Sequence, residues 1–288
     1  MDNDKDKMSD QISVQQLPEV QQGIQRVYDQ ASSYYKWLRW EKTRLARFEH
    51  DLTRRAIEEE LGTERVARAL EVGCGPGTWT KLLADRATSV VAVDLSAGML
   101  AQARQAVTSP NVTFQQADAS SFTYPGTFDM VLSVRVIEYI PEWKTVIANI
   151  SKLVAPGGRV VIVTKTPLSL WRGTGRERWF IAQPRRLAAR IIKGKRHRDF
   201  WQRHISVSKL SRELTAGGFH DLSVRPAIFG LPIYVRGTQQ YPLIPKFAEP
   251  PVMAATNSAW NTVSRSGPRI RRASLFFSES YVISGRRS

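Results

Sequence analysis

The chain has 288 residues, of which 42% are hydrophobic and 24% charged, a balance that admits a sizeable core and excludes wholesale disorder, collagen-like repeats and low-complexity architectures. A single cysteine, Cys74, excludes an intrachain disulfide framework and is what a reducing compartment permits. The net charge of +16 is uneven: residues 1–150 carry −3 and residues 151–288 carry +19, so the second half offers a face for phospholipid headgroups, nucleic acid or a phosphorylated substrate.

The stretch Met1-Asp2-Asn3-Asp4-Lys5-Asp6-Lys7 has no apolar h-region, and nowhere do about 18 apolar residues run uninterrupted. The expected address is therefore the cytoplasm. Residues 1–13 read as a disordered tail and residues 14–62 as covering helices, with Leu38, Leu45, Phe48, Leu52 and Ile57 at near-heptad intervals before the stop at Gly62. The period then changes. Short apolar runs (Ala67–Val72, Ser89–Val93, Val112–Phe114, Met130–Val134, Arg159–Val163) alternate with helical segments, which implies βαβ units and a parallel sheet covered on both faces. Ser96 is placed to cap a helix bearing Leu100, Ala103 and Val107. Pro141 stands at the first turn of a helix bearing Val146, Ile147, Ile150 and Leu153, which Pro156-Gly157-Gly158 ends.

Past Thr166 the rhythm breaks. Residues 167–206 hold 11 basic and 2 acidic side chains with Trp171, Trp179, Phe180, Phe200 and Trp201 interleaved. Within them Pro184 and Gly194 bracket an amphipathic helix, with Leu187, Ala188, Ile191 and Ile192 on one arc and Arg186, Arg190 and Lys193 on the other. Such a helix fits a lid with a solvated basic face, or an interfacial helix drawn to anionic lipid. Residues 207–216 resume as a helix closed by Gly217-Gly218, followed by a strand over 222–229. Residues 230–273 read as a second irregular, Pro-rich insertion, and 275–284 as the last strand.

The strongest local signal is Ala69-Leu70-Glu71-Val72-Gly73-Cys74-Gly75-Pro76-Gly77-Thr78, an apolar strand ending in an acid and running into alternating glycines before a helix. Such a loop lets a ligand lie against bare backbone at a helix N-terminus. Thr78 breaks the G-x-G-x-x-G dinucleotide pattern, and the Gly-Lys-Ser/Thr of a P-loop is absent. The loop suits a cofactor with an amino group and a ribose but no pyrophosphate, which points to S-adenosylmethionine. Asp94 ends the second strand, where an acid accepts from ribose hydroxyls; Asp118 ends the third, placed for an exocyclic amine; Ser133 lies at the edge of the fourth. Cys74 reads as a small filler in the loop. The histidines and the cysteine show no ligand-like spacing, so no metal site is expected.

These residues resemble the class I S-adenosylmethionine-dependent methyltransferases, in particular the group similar to ubiquinone and menaquinone biosynthesis methyltransferases. The resemblance implies an α/β fold: a doubly wound, Rossmann-like seven-stranded sheet with a final antiparallel strand, here a methyltransferase domain over 63–288 with insertions 167–206 and 230–273 on the acceptor side. It also implies that Glu71, Gly73, Cys74, Gly75 and Gly77 hold the methionine part, Asp94 the ribose, and Asp118 with Ala119 the adenine, with Leu95, Met99 and Ser133 completing the cofactor-binding set. Tyr139 stands where many relatives have a histidine. Candidates for a general base are Glu138, Tyr139 and His204. The implied reaction is O- or C-methylation of a small-molecule or lipid-like acceptor, with peripheral contact with an anionic membrane as an added reading of the basic half. Alternatives are an RNA or protein methyltransferase docking through that half, although no recognised RNA-binding module accompanies the charge, or a non-catalytic S-adenosylmethionine-binding partner protein.

Overall fold

The computed structural model describes residues 19–167, 203–229, 234–236, 240–242 and 246–288. The tail 1–13, the helix expected over 185–193, nearly all of the insertion 167–206 and three short stretches of the insertion 230–273 lie outside the described residues.

Two helices lead the chain. Helix α1 (Glu19–Lys36) runs into a π-helical turn (Trp37–Glu41), and α2 (Arg44–Leu61) starts where the side chain of Thr43 accepts from Ala46 N. Strands and helices then alternate: β1 (Val66–Val72), α3 (Thr80–Ala84), β2 (Ala87–Asp94), α4 (Ala97–Ala106), β3 (Val112–Gln116), β4 (Phe128–Val134), α5 (Trp143–Leu153), β5 (Val154–Lys165), α6 (Val207–Ala216) and β6 (Phe219–Phe229). A short hairpin, β7 (Tyr234–Arg236) with β8 (Gln240–Pro242), precedes α7 (Glu249–Arg265), α8 (Pro268–Ser274) and β9 (Ser278–Arg287). The main sheet has seven strands in the order β3-β2-β1-β4-β5-β9-β6, and β9 runs antiparallel to both of its neighbours. The order reverses between β1 and β4, so the loops after these two strands diverge and leave a crevice at their carboxyl ends.

Period-two alternation sorts the core onto two faces. Leu70, Val72, Val131, Val160 and Ile162 point to one face under α5 and α6, while Ala69, Met130, Leu132, Val161 and Val163 point to the other under α2, α3 and Trp260 of α7. Charge also ties α2 to the distal edge of the sheet. The buried carboxylate of Glu60 accepts from Ser223 Oγ at 3.0 Å and from Arg225 and Ser284. Three donors, one of them charged, offset the cost of burying that acid.

Three expectations need correction. Helix α5 stops at Leu153, ahead of Pro156-Gly157-Gly158. These residues lie instead inside β5, where the pairing with β4 shifts register between Phe128 and Met130. The stretch 230–273 is not irregular throughout: α7 opens with Pro250 and Pro251 in its first turn, where missing N–H groups cost the helix nothing. The last strand begins at Ser278 rather than at Leu275, because Leu275–Phe277 turn as a 3-10 helix that buries Leu275 and leaves Phe276 and Phe277 exposed.

Candidate functional site

A cavity opens at the carboxyl ends of β1, β2, β3 and β4. Its walls include Gly73, Cys74, Gly75, Thr78, Asp94, Leu95, Met99, Asp118, Ala119 and Tyr139, and α1 covers it with Gln21, Ile24, Gln25, Tyr28 and Tyr35.

The three glycines of the first loop do different jobs. All have positive φ: Gly73 at 72°, Gly75 at 53° and Gly77 at 77°. A Cβ at Gly73 would stand 2.1 Å from Val136 Cγ2, so that glycine is required by packing against the loop after β4. A Cβ at Gly75 would meet nothing within 4 Å, because the space before it is the cavity. Gly75 therefore leaves a bare backbone for a ligand to approach.

Asp94 holds this loop from below. Its Oδ2 accepts from Gly75 N at 2.7 Å and its Oδ1 from Ser96 N at 2.9 Å. A carboxylate has about four acceptor positions, so capacity remains for ligand hydroxyls. Burial pushes its pKa up, an effect the two backbone donors oppose. Ser96 caps α4 as expected, with its side chain accepting from Met99 N at 3.0 Å. At the third strand end, Asp118 Oδ1 accepts from Ser120 N at 2.9 Å and lies 3.5 Å from Gln21 Nε2 of α1.

The other end of the cavity is aromatic and cationic. The ring of Tyr28 lies edge-on to those of Tyr35 and Tyr139, at 5.6 and 5.7 Å. Burial raises the pKa of all three phenols, that of Tyr139 to about 12, so each keeps its proton near neutrality and serves as a hydroxyl donor. Trp40, from the π-helical turn, and Trp79 add an apolar wall behind Gly75, with His50 stacked on Trp79 at 4.8 Å. Sequence reasoning read α1 and α2 only as a cover. An amphipathic pattern shows that a face is buried, and carries no sign of whether it faces core or cavity.

Several expected site residues lie elsewhere. Glu71 is buried beneath the loop, where it accepts from Thr80 Oγ1 at 2.6 Å and does not line the cavity. Burial pushes its pKa up to about 8. Gly77 packs against Val107 and Ala103 of α4, and Ser133 is enclosed in β4. Glu138 is wholly buried outside the cavity lining, bonded to Arg135 Nε at 2.5 Å and Thr164 Oγ1 at 2.9 Å, so it neutralises an internal cation and does not face an acceptor. His204 precedes α6 and is likewise absent from the cavity wall. Of the three candidate bases, only Tyr139 reaches the cavity. Cys74 reaches it as a buried thiol whose pKa burial raises well above the ordinary value, consistent with a filler. Among the described residues no cluster of His, Cys, Asp and Glu could hold a metal ion.

Residues 69–158 match the family model described as a methyltransferase domain. The match covers less than half of the chain, and together with the sheet order it carries the likeness to the class I S-adenosylmethionine-dependent methyltransferases. Among curated relatives, a trans-aconitate 2-methyltransferase of Methylobacterium nodulans is 30% identical over 127 residues, 43% of this chain and 48% of the relative. A ubiquinone biosynthesis O-methyltransferase of Pseudomonas aeruginosa is 33% identical over 112 residues, 38% of this chain and 48% of the relative. The chain thus spans about half the length of the curated relatives it matches. Solved structures extend the likeness of fold. A complex of DhpI with SAH aligns over 93% of this chain and 97% of its own, with a TM-score of 0.57 at 19% identity. The [4+2]-cyclase SpnF aligns over 94% and 96%, with a TM-score of 0.57 at 21% identity. A cyclase on the same fold means that the fold does not by itself decide the reaction.

The cavity wall also fits the cofactor that this domain implies. Gln25 Oε1, Thr78 Oγ1 and Arg135 Nη1 are buried without partners on residues that line it. They offer an acceptor, a hydroxyl and a charged donor, which matches a ligand bearing an amine, hydroxyls and a carboxylate.

Proposed function

We propose that the protein transfers the methyl group of S-adenosylmethionine to oxygen or carbon of a small-molecule or lipid-like acceptor. The observation that carries this is the pairing of Gly75, which leaves its backbone bare to the cavity, with Asp94, which fixes that backbone through a 2.7 Å hydrogen bond while facing the same space. When bound, the cofactor would supply a methyl group on a sulfonium for in-line transfer to an acceptor held opposite it, with S-adenosylhomocysteine as the leaving group. Most of the acceleration in such a step comes from positioning.

The chain supplies the positioning. Asp94 accepts from the ribose, Asp118 with Ala119 borders the adenine, and Leu95 and Met99 pack beside them. Tyr139, which accepts from Tyr28, donates its own hydroxyl proton to an acceptor oxygen, and Trp40 and Trp79 exclude water from one side. A relative named trans-aconitate 2-methyltransferase supports a small acceptor, and one named ubiquinone biosynthesis O-methyltransferase supports oxygen as the methylated atom. Titration calorimetry with S-adenosylhomocysteine, followed by transfer of labelled methyl from S-adenosylmethionine to a panel of small hydroxy and carboxylic acids, tests the reading. Homocysteine-nucleoside binding without transfer to any acceptor in the panel or in a cell extract would leave a cofactor-binding partner protein in place of an enzyme.

A second reading, peripheral contact with an anionic membrane, is favoured by a surface of the described residues. Ile270, Phe276 and Phe277 are exposed at 56%, 45% and 44%, and Arg269, Arg271 and Arg272 share the same short segment. Apolar side chains beside several arginines suit the boundary between headgroups and acyl chains. No helix among the described residues is long and apolar enough to cross a membrane. Sedimentation with vesicles containing anionic lipid, against neutral vesicles, tests this contact.

A further inference from the structure

At the carboxyl end of β4 the backbone takes an unusual turn. Arg135 has φ 63°, one of two non-glycine residues with positive φ among the described residues. A long side chain is disfavoured there, so the conformation persists only where its surroundings hold it. They do so here: Arg135 N donates to Val163 O at 2.8 Å, and Nε donates to Glu138 Oε1 at 2.5 Å. Glu138 is itself fixed by Thr164 at 2.9 Å, so the guanidinium is aimed by a pair of buried groups and cannot swing freely.

The turn places a cation against the cavity. The Arg135 side chain is only 9% exposed and lines the wall beside Val136 and Tyr139, yet its Nη1 has no hydrogen-bond partner. A buried charged donor with spare N–H groups is costly unless something accepts from it. Glu138 occupies Nε alone, and the carboxylates that line the cavity, Asp94 and Asp118, follow the β2 and β3 strand ends and are engaged by backbone N–H groups there. The cavity is thus divided: acids at the β2 and β3 ends, and a fixed guanidinium with neutral phenols at the β4 end.

We propose that Arg135 is the carboxylate-binding residue of this cavity, with Nη1 donating to a ligand carboxylate and Glu138 and Thr164 positioning it. The inference rests on the methyltransferase reading above. Two sources share that chemistry, the methionine carboxylate of the donor and a carboxylate on the acceptor. A planar guanidinium suits either, since its N–H groups match carboxylate geometry.

The test compares wild type with the double variant Arg135→Met/Glu138→Gln, which removes the guanidinium without stranding a buried acid; a melting curve confirms that it folds. Arg135→Lys serves as the partial rescue. Calorimetry uses three probes: S-adenosylhomocysteine, 5′-methylthioadenosine, which lacks the amino-acid part, and succinate added to protein saturated with S-adenosylhomocysteine. If Arg135 holds the donor, the double variant binds S-adenosylhomocysteine at least tenfold more weakly, 5′-methylthioadenosine equally, and Arg135→Lys falls between. If it holds the acceptor, both nucleosides bind as in wild type while succinate binding drops at least tenfold. Changes below twofold for all three probes overturn the proposal, as does a wild type that ignores succinate while its variant keeps full affinity for S-adenosylhomocysteine. A wild type that binds neither nucleoside overturns instead the methyltransferase reading on which the proposal rests.

Discussion

Asp29, midway along α1, accepts a hydrogen bond from the hydroxyl of Ser96, the residue that caps α4. The same oxygen accepts from Gly98 N at 3.1 Å. The helix that roofs the cavity is therefore fastened to the helix that follows Asp94, and the fastening passes through the cap of the second. Gly98 permits the close approach, since a Cβ there would stand 3.2 Å from Asp29 O.

Removing that tie should loosen the roof. Asp29→Ala leaves Ser96 Oγ and Gly98 N without this acceptor, at a cost of about 1 to 3 kcal/mol in unfolding free energy. Because Gln21, Gln25 and Tyr28 come from the same helix, affinity for S-adenosylhomocysteine should fall with it. Denaturant unfolding and calorimetry read the two effects. An unchanged affinity in a destabilised variant would mean that α1 contributes no more than cover.

A second prediction separates two glycines of one loop. Gly75→Ala should cost about 1 to 2 kcal/mol of stability through its positive φ alone, since its Cβ enters open space, and should lose ligand affinity because that space is where the ligand approaches. Gly73→Ala should do the reverse in rank, costing several kcal/mol of stability through the contact with Val136 and the strained φ. Asp94→Asn, nearly isosteric, should weaken S-adenosylhomocysteine binding by about 1 to 3 kcal/mol. Equal affinities in wild type, Gly75→Ala and Asp94→Asn would remove the ligand from this end of the cavity.

The strands β1 to β5 were legible because a parallel sheet buried on both faces writes short apolar runs, and the loop after β1 because alternating glycines have few uses. What the sequence hid follows from distance. Glu138 looks like a base beside a strand end until Thr164, 26 residues on, is seen to share its carboxylate with Arg135. Tyr28 and Gln25 carry no motif, and become cavity walls only through the packing of α1 over the sheet edge. Pro250 and Pro251 read as breakers by composition, yet at the first turn of α7 they are compatible with a 17-residue helix.

Glu71 makes stability depend on pH. Its folded pKa of about 8 lies above the unfolded carboxylate value of 4.5, so between these values the folded state holds a proton that the unfolded state releases. The unfolded chain then binds fewer protons, and stability from this group falls as pH rises from about 4.5 to 8. Lys165 works in the opposite sense: with a folded pKa lowered to about 7 by burial, it adds stability as pH rises from there towards 10.5. The prediction is therefore a difference. Glu71→Gln, which keeps an acceptor for Thr80, should gain melting temperature relative to wild type progressively between pH 5 and pH 8. Parallel melting curves across that range would show that Glu71 does not carry the linkage.

The membrane reading has its own signature in the described surface. Arg269, Arg271 and Arg272 near an anionic leaflet contribute on the order of 1 kcal/mol each, and Phe276 and Phe277, in edge contact at 5.9 Å, would add apolar burial. The two contributions respond to different variables. Charge attraction fades as ionic strength rises from about 0.1 M towards about 1 M, over which the Debye length falls from roughly 10 to roughly 3 Å, whereas apolar burial persists. Arg269→Glu with Arg272→Glu should thus abolish sedimentation with anionic vesicles at low salt. Phe276→Ser with Phe277→Ser should leave low-salt binding weakened but present, and remove the part that survives high salt. Neither pair touches the cavity wall, so affinity for S-adenosylhomocysteine should stay at the wild-type value in both. Wild-type protein that stays in the supernatant with anionic vesicles at low salt would end this reading, and steeply salt-dependent binding to RNA by the same protein would move the basic half to nucleic acid.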